Sequence, residues 1–364
     1  MAMFIVKPWY RKKDDAIYGA EWAGTSDPSW TRTDSARDFS APNPYYSGMS
    51  TTPSSPFDNI MPWAGMRKVT DASAGELVEL PKFYYKLSQP NGVGLKVQIS
   101  MSQFDGSSVD PMHMDRGDGV GEREYAYVSR YLCASDDYKS TTNKAPKTYI
   151  GGNNARIQIH NLGAYIYQFD HAAWFTLALL YLVEYAHWNT QAKIGYGGRA
   201  SASNNGTTDN MPYHTGTVKS SRTAWGDMQY RYVENLWSRL NIFMDGVYNS
   251  SNGMNIILNP NNFSFTSGGI SVGTPTNGYS SSFAIKNVNG TYPLFIPNAT
   301  GGSDSTYTTD YWGFNASANG VYCGGGQNYT FCGMFYRDSA TVTSEGSDLF
   351  GCRLMVLPPS RLSA

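Results

Sequence analysis

Two stretches near the C-terminus decide the fold of this chain: Val321-Tyr-Cys-Gly-Gly-Gly-Gln-Asn-Tyr-Thr-Phe-Cys-Gly-Met-Phe-Tyr-Arg337 and Phe350-Gly-Cys-Arg-Leu-Met-Val-Leu-Pro-Pro359. Glycines and a short apolar strand mark the ends of this region, whereas the residues between them show neither a hydrophobic period nor a single chemistry. The pattern indicates a specified backbone with interchangeable side chains, as on a binding surface rich in Tyr, Ser, Thr, Asn and Gly. The alternative interpretation is an ordinary terminal hairpin with solvated polar residues.

Composition limits the classes of partner. The chain has 364 residues, of which 41% are hydrophobic and 16% charged, so it can bury a sizeable core. A formal net charge of -1 gives no electrostatic footprint for a polyanion, and we expect no nucleic-acid partner. The longest apolar stretch, 172–183, ends at Glu184 and is too short to span a bilayer, so we expect no membrane insertion. The first residues reach Lys7 and Pro8 too soon for a secretory signal.

The chain is predicted to have an arm and one main domain. Residues 1–58 are rich in Ser, Pro, Asp and aromatic residues without a sustained period, which indicates an extended attachment segment. Residues 59–364 form the main domain. It opens with two alternating runs, 76–87 and 95–100, around a Pro-Asn-Gly turn, and this pattern predicts a hairpin.

The remaining elements follow from local signals. Asp170 is a plausible N-cap for the best helix of the chain, which extends to about His187 with apolar residues at helical spacing. A shorter helical segment starts at Asn153. Short strands with Gly, Asn and Pro turns are predicted between 266 and 309.

The order of these elements resembles a known family. The chain resembles C-type lectin-fold proteins of the formylglycine-generating-enzyme type. The resemblance rests on a hairpin with Val78-Glu-Leu-Pro-Lys-Phe-Tyr-Tyr85, a long helix, Glu234-Asn-Leu-Trp237, Met244-Asp-Gly246 and a final Gly-Gly segment closing on Gly351-Cys-Arg-Leu354. Within that group the chain looks most like the variable proteins of diversity-generating retroelements, found as phage receptor-binding proteins and bacterial surface proteins. The resemblance covers roughly 58–364. It implies an α+β C-type lectin fold, with mixed short antiparallel strands, one or two helices and long loops, preceded by the extended N-terminal arm.

The resemblance also implies a contact surface. In that family, reverse transcription rewrites chosen codons near the 3′ end, and the fold displays the altered side chains to solvent. Carried over by position, it gives a variable region at about 321–354 with ligand-binding residues on two limbs: Gly326, Gln327, Asn328, Tyr329, Thr330 and Phe331 on the first, and Arg337, Ala340, Thr341, Thr343, Glu345, Ser347 and Asp348 on the second. The positions expected to be scaffold are Gly324, Gly325, Gly333, Phe335, Gly351, Arg353 and Leu354.

Catalytic and metal-binding patterns are weak. The four cysteines lack paired zinc spacing and are expected to be reduced and buried: Cys133, Cys323, Cys332 and Cys352. Cys323 and Cys332 do not match the family's catalytic pair, which follows the Gly-Gly turn. Gly269-Ile-Ser-Val-Gly273 is expected to be a turn and short strand, since no helix follows it. Asp110, Asp115 and Asp118 are the weak candidates for a calcium loop. We predict no catalytic residue, no metal and no cofactor.

The sequence therefore predicts a binding protein without enzymatic activity. Its partner is expected to be a bacterial surface protein or glycan receptor, contacted in host attachment from the tip of a phage tail fibre. The virion is the expected location, with the bacterial cell surface or cytoplasm as alternatives. A homotrimer and contacts to other tail proteins through the arm are further expectations. Two other hypotheses are a structural virion or baseplate component without diversified binding and a formylglycine-generating-type oxidase.

Overall fold

The computed structural model describes residues 15–198, 203–317, 319–325, 329–339 and 346–362, in which strand residues outnumber helical residues. In chain order the strands are β1 (Tyr18–Trp22), β2 (Thr31–Asp34), β3 (Tyr45–Tyr46), β4 (Arg67–Asp71), β5 (Gly75–Pro81), β6 (Tyr84–Ser88), β7 (Leu95–Ser100), β8 (Ser108–Val109), β9 (Tyr125–Ser129), β10 (Ile166–Gln168), β11 (Gly216–Thr217), β12 (Met228–Tyr230), β13 (Val233–Glu234), β14 (Asn241–Ser250), β15 (Gly253–Ile256), β16 (Ile270–Gly273), β17 (Gly278–Val288), β18 (Tyr292–Thr300), β19 (Tyr311–Trp312), β20 (Gly320–Cys323), β21 (Arg337–Asp338), β22 (Phe350–Gly351) and β23 (Leu354–Val356). The helices in these ranges are α1 (Gly152–His160), α2 (His171–Tyr185) and α3 (Thr190–Lys193), with single 3-10 turns at Trp63–Gly65 and Pro260–Asn262.

The strands form four sheets. Two sheets have five strands each, in the orders β2-β1-β7-β6-β8 and β10-β23-β9-β5-β4, and a third has the order β13-β12-β11-β3. The nine-stranded sheet has the order β16-β15-β14-β20-β21-β19-β17-β18, with β22 beside β14. Most pairs are antiparallel. The chain is thus a mostly β protein that also contains helices, as an α+β class requires, and the C-type lectin fold stays a prediction.

The long helix α2 is confirmed, and it is buried along its whole length. Its N-cap is Asp170, whose side chain accepts a hydrogen bond from Ala173 N at 2.8 Å, and it ends where Ala186 adopts a left-handed conformation. Even Glu184 is inside, because Arg231 pairs with its carboxylate at 2.7 Å and Ser55 donates to it at 2.8 Å. Burying an apolar side chain of this helix contributes about 2 kcal/mol. A helix enclosed in this way fixes the sheets around it.

The predicted hairpin exists, but its first strand is shorter than the sequence pattern suggests. β6 pairs with β7 antiparallel, with Tyr84 opposite Ser100. The apolar run that begins at 76 is divided at Pro81, because β5 pairs instead with β9 in the other five-stranded sheet. The alternating run at 76–87 therefore contributes strands to two different sheets.

Residues 15–58 pack as part of the main body, which corrects the prediction of an extended arm for this segment. β1 lies between β2 and β7. Trp22 is fully buried and meets Trp188 edge to face at a centroid distance of 5.6 Å, and Phe57 lies 4.4 Å from Trp63. Aromatic residues that bury this much surface hold a segment firmly. Residues 1–14 lie outside the described part of the chain.

Further along the chain, the region 266–309 differs from the predicted short strands. β17 and β18 form a long antiparallel hairpin that closes at Val288 opposite Tyr292. The motif at 269–273 is a turn followed by β16, as expected. Among the described residues, the structure contains no helix with the length and apolar character needed to cross a bilayer.

Candidate ligand-binding surface

A buried frame fixes the backbone at 333–335. The Asp310 carboxylate accepts hydrogen bonds from Gly333 N at 3.1 Å and Phe335 N at 2.9 Å. Thr190, the first residue of α3, accepts from Met334 N at 3.0 Å through its hydroxyl. Burial raises the pKa of Asp310, and the two backbone N–H groups oppose that rise. Three consecutive N–H groups are thus bonded to buried side chains, which specifies the path of this segment.

Two glycines are required by the frame. Gly325 has a positive φ of 74°, and a Cβ there would overlap the Cys332 side chain. A Cβ on Gly333 would lie 2.6 Å from a carboxylate oxygen of Asp310 and from the Thr190 hydroxyl. Neither position has room for a larger residue. This agrees with the prediction that both are scaffold.

The second end of the frame is held by Arg353. Its guanidinium is buried and donates to the carbonyl oxygen of Ser129 at 2.6 Å and to that of Glu234. Leu354 is fully buried in β23, which pairs with β9 and β10. Every position that the sequence predicts to be scaffold is buried: Gly324, Gly325, Gly333, Phe335, Gly351, Arg353 and Leu354.

The first limb presents aromatic rings to solvent. Tyr329 is 45% exposed and stacks on Phe331 with ring centroids 4.7 Å apart and planes 10° apart. Phe331 in turn lies 6.2 Å from both Tyr279 and Tyr311. We call these four residues the aromatic patch. Its residues come from three parts of the chain, namely β17, β19 and the turn at 329–331, because β17 pairs with β19 and Tyr311 N donates to Phe331 O.

Polar groups lie beside the aromatic patch. The Thr330 hydroxyl donates to the exposed carboxylate of Asp304 at 2.7 Å, and the Tyr311 hydroxyl donates to Asn277 at 3.2 Å. The buried side chain of Gln191 donates to Tyr329 O at 3.0 Å. The backbone under the aromatic patch is therefore fixed, while the rings of the patch and the neighbouring Asp304 carboxylate remain available to a ligand.

Sequence reasoning missed part of this surface. The surface around residues 329–331 includes four residues that are distant in the sequence. The β17–β19 pair and side-chain hydrogen bonds bring them there: Tyr279, Tyr311, Asn277 and Asp304. The mixture of aromatic and polar residues in β17, Gly278-Tyr-Ser-Ser-Ser-Phe283, is a weak signal for a partly exposed strand. It carries no information about which distant segment lies beside it.

The second limb is only partly described. Ser347 is half-buried and its carbonyl accepts from Tyr149 N at 2.8 Å, whereas Asp348 is exposed. Within the described ranges, neither has a hydrogen bond or ring contact to the aromatic patch. The other predicted contact residues lie outside the described residues: Gly326, Gln327, Asn328, Ala340, Thr341, Thr343 and Glu345.

Arg337 is not on the exposed surface, and the prediction that it contacts a ligand there is corrected. It is 2% exposed, since β21 lies between β19 and β20 inside the nine-stranded sheet. Its guanidinium carbon is 3.3 Å from the ring centroid of Trp174 on α2. Burial lowers the pKa of Arg337 to about 9.

The four cysteines are free and buried, as predicted. Burial raises the pKa of both Cys323 and Cys332, whereas a reactive thiol needs a lowered pKa. Of the calcium candidates, Asp110 binds His113 at 2.8 Å and Asp118 pairs with Arg123, so both carboxylates already have protein partners. The described ranges contain no group of three or more His, Cys, Asp or Glu that could hold a metal ion.

A separate concave surface lies beside α1. Its volume is about 320 Å³, and Arg156, His160, Tyr167 and Phe263 are among its lining residues. The Arg156 guanidinium there is paired with the buried carboxylate of Asp245 at 2.8 and 2.9 Å.

The chain matches no protein-family model and no curated protein sequence.

Proposed function

We propose that this chain is a receptor-binding protein whose aromatic patch contacts a ligand on a bacterial surface, as in host attachment by a phage tail fibre. The observation that carries the proposal is the exposed stacked pair of Tyr329 and Phe331 on a backbone held by buried hydrogen bonds. Aromatic side chains with few rotatable bonds give large contact area at low entropic cost.

The composition of the patch suits either a protein or a glycan receptor. Tyrosine and phenylalanine rings act as anchors, and truncating one such anchor in a binding interface typically costs about 2 kcal/mol. Asp304 and Thr330 add hydrogen-bonding groups at the edge. Weak contacts of this kind become firm attachment when several copies bind together, as on a fibre tip.

We also propose the finer fold and family assignment, a C-type lectin-fold variable protein of the diversity-generating type. Its support is the position of the exposed residues Tyr329 and Thr330 between two buried segments, 321–325 and 332–337. In the coding genome we expect a near-copy of the 3′ end of the gene downstream of it, with differences at template adenines. We also expect a reverse-transcriptase gene nearby. Absence of any such copy would favour a fixed-specificity or structural virion protein.

Binding is tested with the fluorescently labelled chain on a panel of intact bacteria and on immobilised bacterial glycans. We expect binding by the native chain and at least a tenfold loss for Tyr329→Ala combined with Phe331→Ala. Tyr165→Ala is the matched control, since Tyr165 is 43% exposed but lies outside the patch. Unchanged binding by a folded double variant, or an equal loss in the control, would refute the role of the patch.

The proposed homotrimer has its own measurement. Residues 15–58 are packed into the body, so they do not supply a free arm for assembly. Light scattering of the full chain is expected to give the mass of three copies. A monomer mass would remove the trimer and leave the binding proposal standing.

A further inference from the structure

Arg337 is a buried cation that forms no ion pair with any described residue. Its Nη1 donates to Tyr336 O at 2.7 Å, whereas Nε and Nη2 are buried and donate to no protein atom. The described carboxylate whose charge favours the ionised form of Arg337 is that of Asp310, and its oxygens already accept from two backbone N–H groups. An unpaired buried charge is strongly destabilising unless something compensates it.

The two free donors of Arg337 lie on one edge of the guanidinium. Nε–H and Nη2–H point the same way, and this fork is the edge with which arginine binds anions through two hydrogen bonds. Because Nη1 donates to Tyr336 O, a single acceptor in front of the fork could accept from both Nε–H and Nη2–H. The position of that acceptor is therefore restricted to the plane of the guanidinium.

A third buried donor without a partner belongs to the strand beside Arg337. Trp312 is directly opposite Arg337 in the β19–β21 pair, and its indole Nε1 is also buried without a hydrogen-bond partner. Both residues line one small cavity, with about 10 Å³ of space open to the centre of a water-sized sphere. This is the size of a site for one small occupant.

None of the described residues that line the rest of the cavity is acidic, and Asn249 adds a polar side chain. Met244, Met254 and Val321 line it with apolar atoms. His171 lines it too, but its Nδ1 lies 2.7 Å from the Tyr292 hydroxyl, and burial lowers its pKa to about 3. The imidazole is thus neutral at pH 7. A water molecule could accept these hydrogen bonds but would bring no negative charge to Arg337, whose charge is otherwise offset by the face of the Trp174 ring and the carboxylate of Asp310.

We propose that this cavity binds one monatomic anion, chloride in a cellular or extracellular medium, between the Arg337 fork and the Trp312 indole N–H. Polyatomic oxyanions such as sulfate are too large for the space. The ion joins β19 to β21 and so fixes the start of the second limb. The proposal does not depend on the proposed receptor-binding function.

Thermal unfolding at constant ionic strength tests the site. As sodium chloride replaces sodium gluconate, Tm of the native chain is expected to rise and saturate, by roughly 2 °C at ten times Kd. Sodium sulfate should give no saturating rise, and any gradual rise from its exclusion from the protein surface should be equal in Arg337→Met. The rise should vanish in Arg337→Met and need more chloride in Trp312→Phe, which keeps the ring and removes the donor. Arg361→Met, at a half-exposed arginine paired with Glu79, is the control and should respond as the native chain does.

Crystals soaked in sodium bromide locate the ion directly. We expect an anomalous peak within hydrogen-bond distance of Arg337 Nε and Nη2 and of Trp312 Nε1. If Arg337→Met does not fold, Trp312→Phe and the bromide peak still decide the question. The proposal is overturned by water alone at the site, by equal Tm in chloride and gluconate, or by a bromide peak without a Tm response, which marks an adventitious ion only.

Discussion

Residues 329–331 and 333–335 are neighbours in the chain with opposite roles. In 333–335 each backbone N–H is bonded to a buried side chain, and the residues themselves are buried. In 329–331 the backbone is held while the side chains face outward or stack on one another. The change occurs at Cys332, whose side chain packs against Gly325 and whose carbonyl accepts from Ser238 at 2.7 Å.

This difference shows how a protein can keep its fold while its contact surface changes. The backbone path of residues 332–335 is set by hydrogen bonds to side chains outside that segment, namely Asp310, Thr190 and Ser238. The aromatic patch contributes little to those contacts. Binding residues supported by a rigid scaffold can be replaced without loss of the structure beneath them.

The largest effect is expected from Gly325→Ala. The new Cβ must displace Cys332 in addition to adopting a positive φ, and we expect a loss of about 4 kcal/mol in the free energy of unfolding, measured by urea denaturation. Gly117→Ala is the matched control, because Gly117 also has a φ of 74° and a Cβ added there would have no neighbouring atom within 4 Å. Its expected cost is about 1 kcal/mol. Equal losses would mean that the frame is not tightly packed at Gly325.

Removing the carboxylate of the frame should have the next largest effect. Asp310→Ala leaves Gly333 N and Phe335 N without acceptors in a buried site, and we expect a loss of about 3 kcal/mol. Asp304→Ala removes an exposed carboxylate that accepts a hydrogen bond from Thr330, and its expected cost is below about 0.5 kcal/mol. Comparable losses in the two variants would contradict the distinction between frame and patch.

The smallest effect on stability is expected in the aromatic patch. Tyr329→Ala removes one ring of the stacked pair, and the loss should be about 1 kcal/mol or less because the ring is 45% exposed. Differential scanning calorimetry measures the change. A loss as large as that of Asp310→Ala would make Tyr329 part of the frame.

Local signals in the sequence were sufficient for several elements. The N-cap Asp170 and the apolar run after it predict α2, and the alternating runs around Pro90 predict the β6–β7 hairpin. Steric demand at Gly325 and Gly333 also follows from residue type, since glycines between structured segments often fill positions that no side chain can occupy.

Long-range contacts were not predictable from one sequence. Residues 15–58 contain no period, yet Trp22 and Phe57 are core residues through contacts with Trp188 and Trp63. Arg337 stands among polar residues and looks exposed, but the ring that covers it belongs to Trp174 in α2. Neither partner is near in sequence. The same is true of Tyr279 and Tyr311 in the aromatic patch.

The central claim is that the buried frame specifies the fold and the aromatic patch does not. Protease resistance of a saturation library covering positions 329, 330, 333 and 335 tests it most directly, since the library compares both regions in one experiment. We predict that most substitutions of Tyr329 and Thr330 retain native resistance and that most substitutions of Gly333 and Phe335 lose it. Equal tolerance in the two regions would contradict the claim.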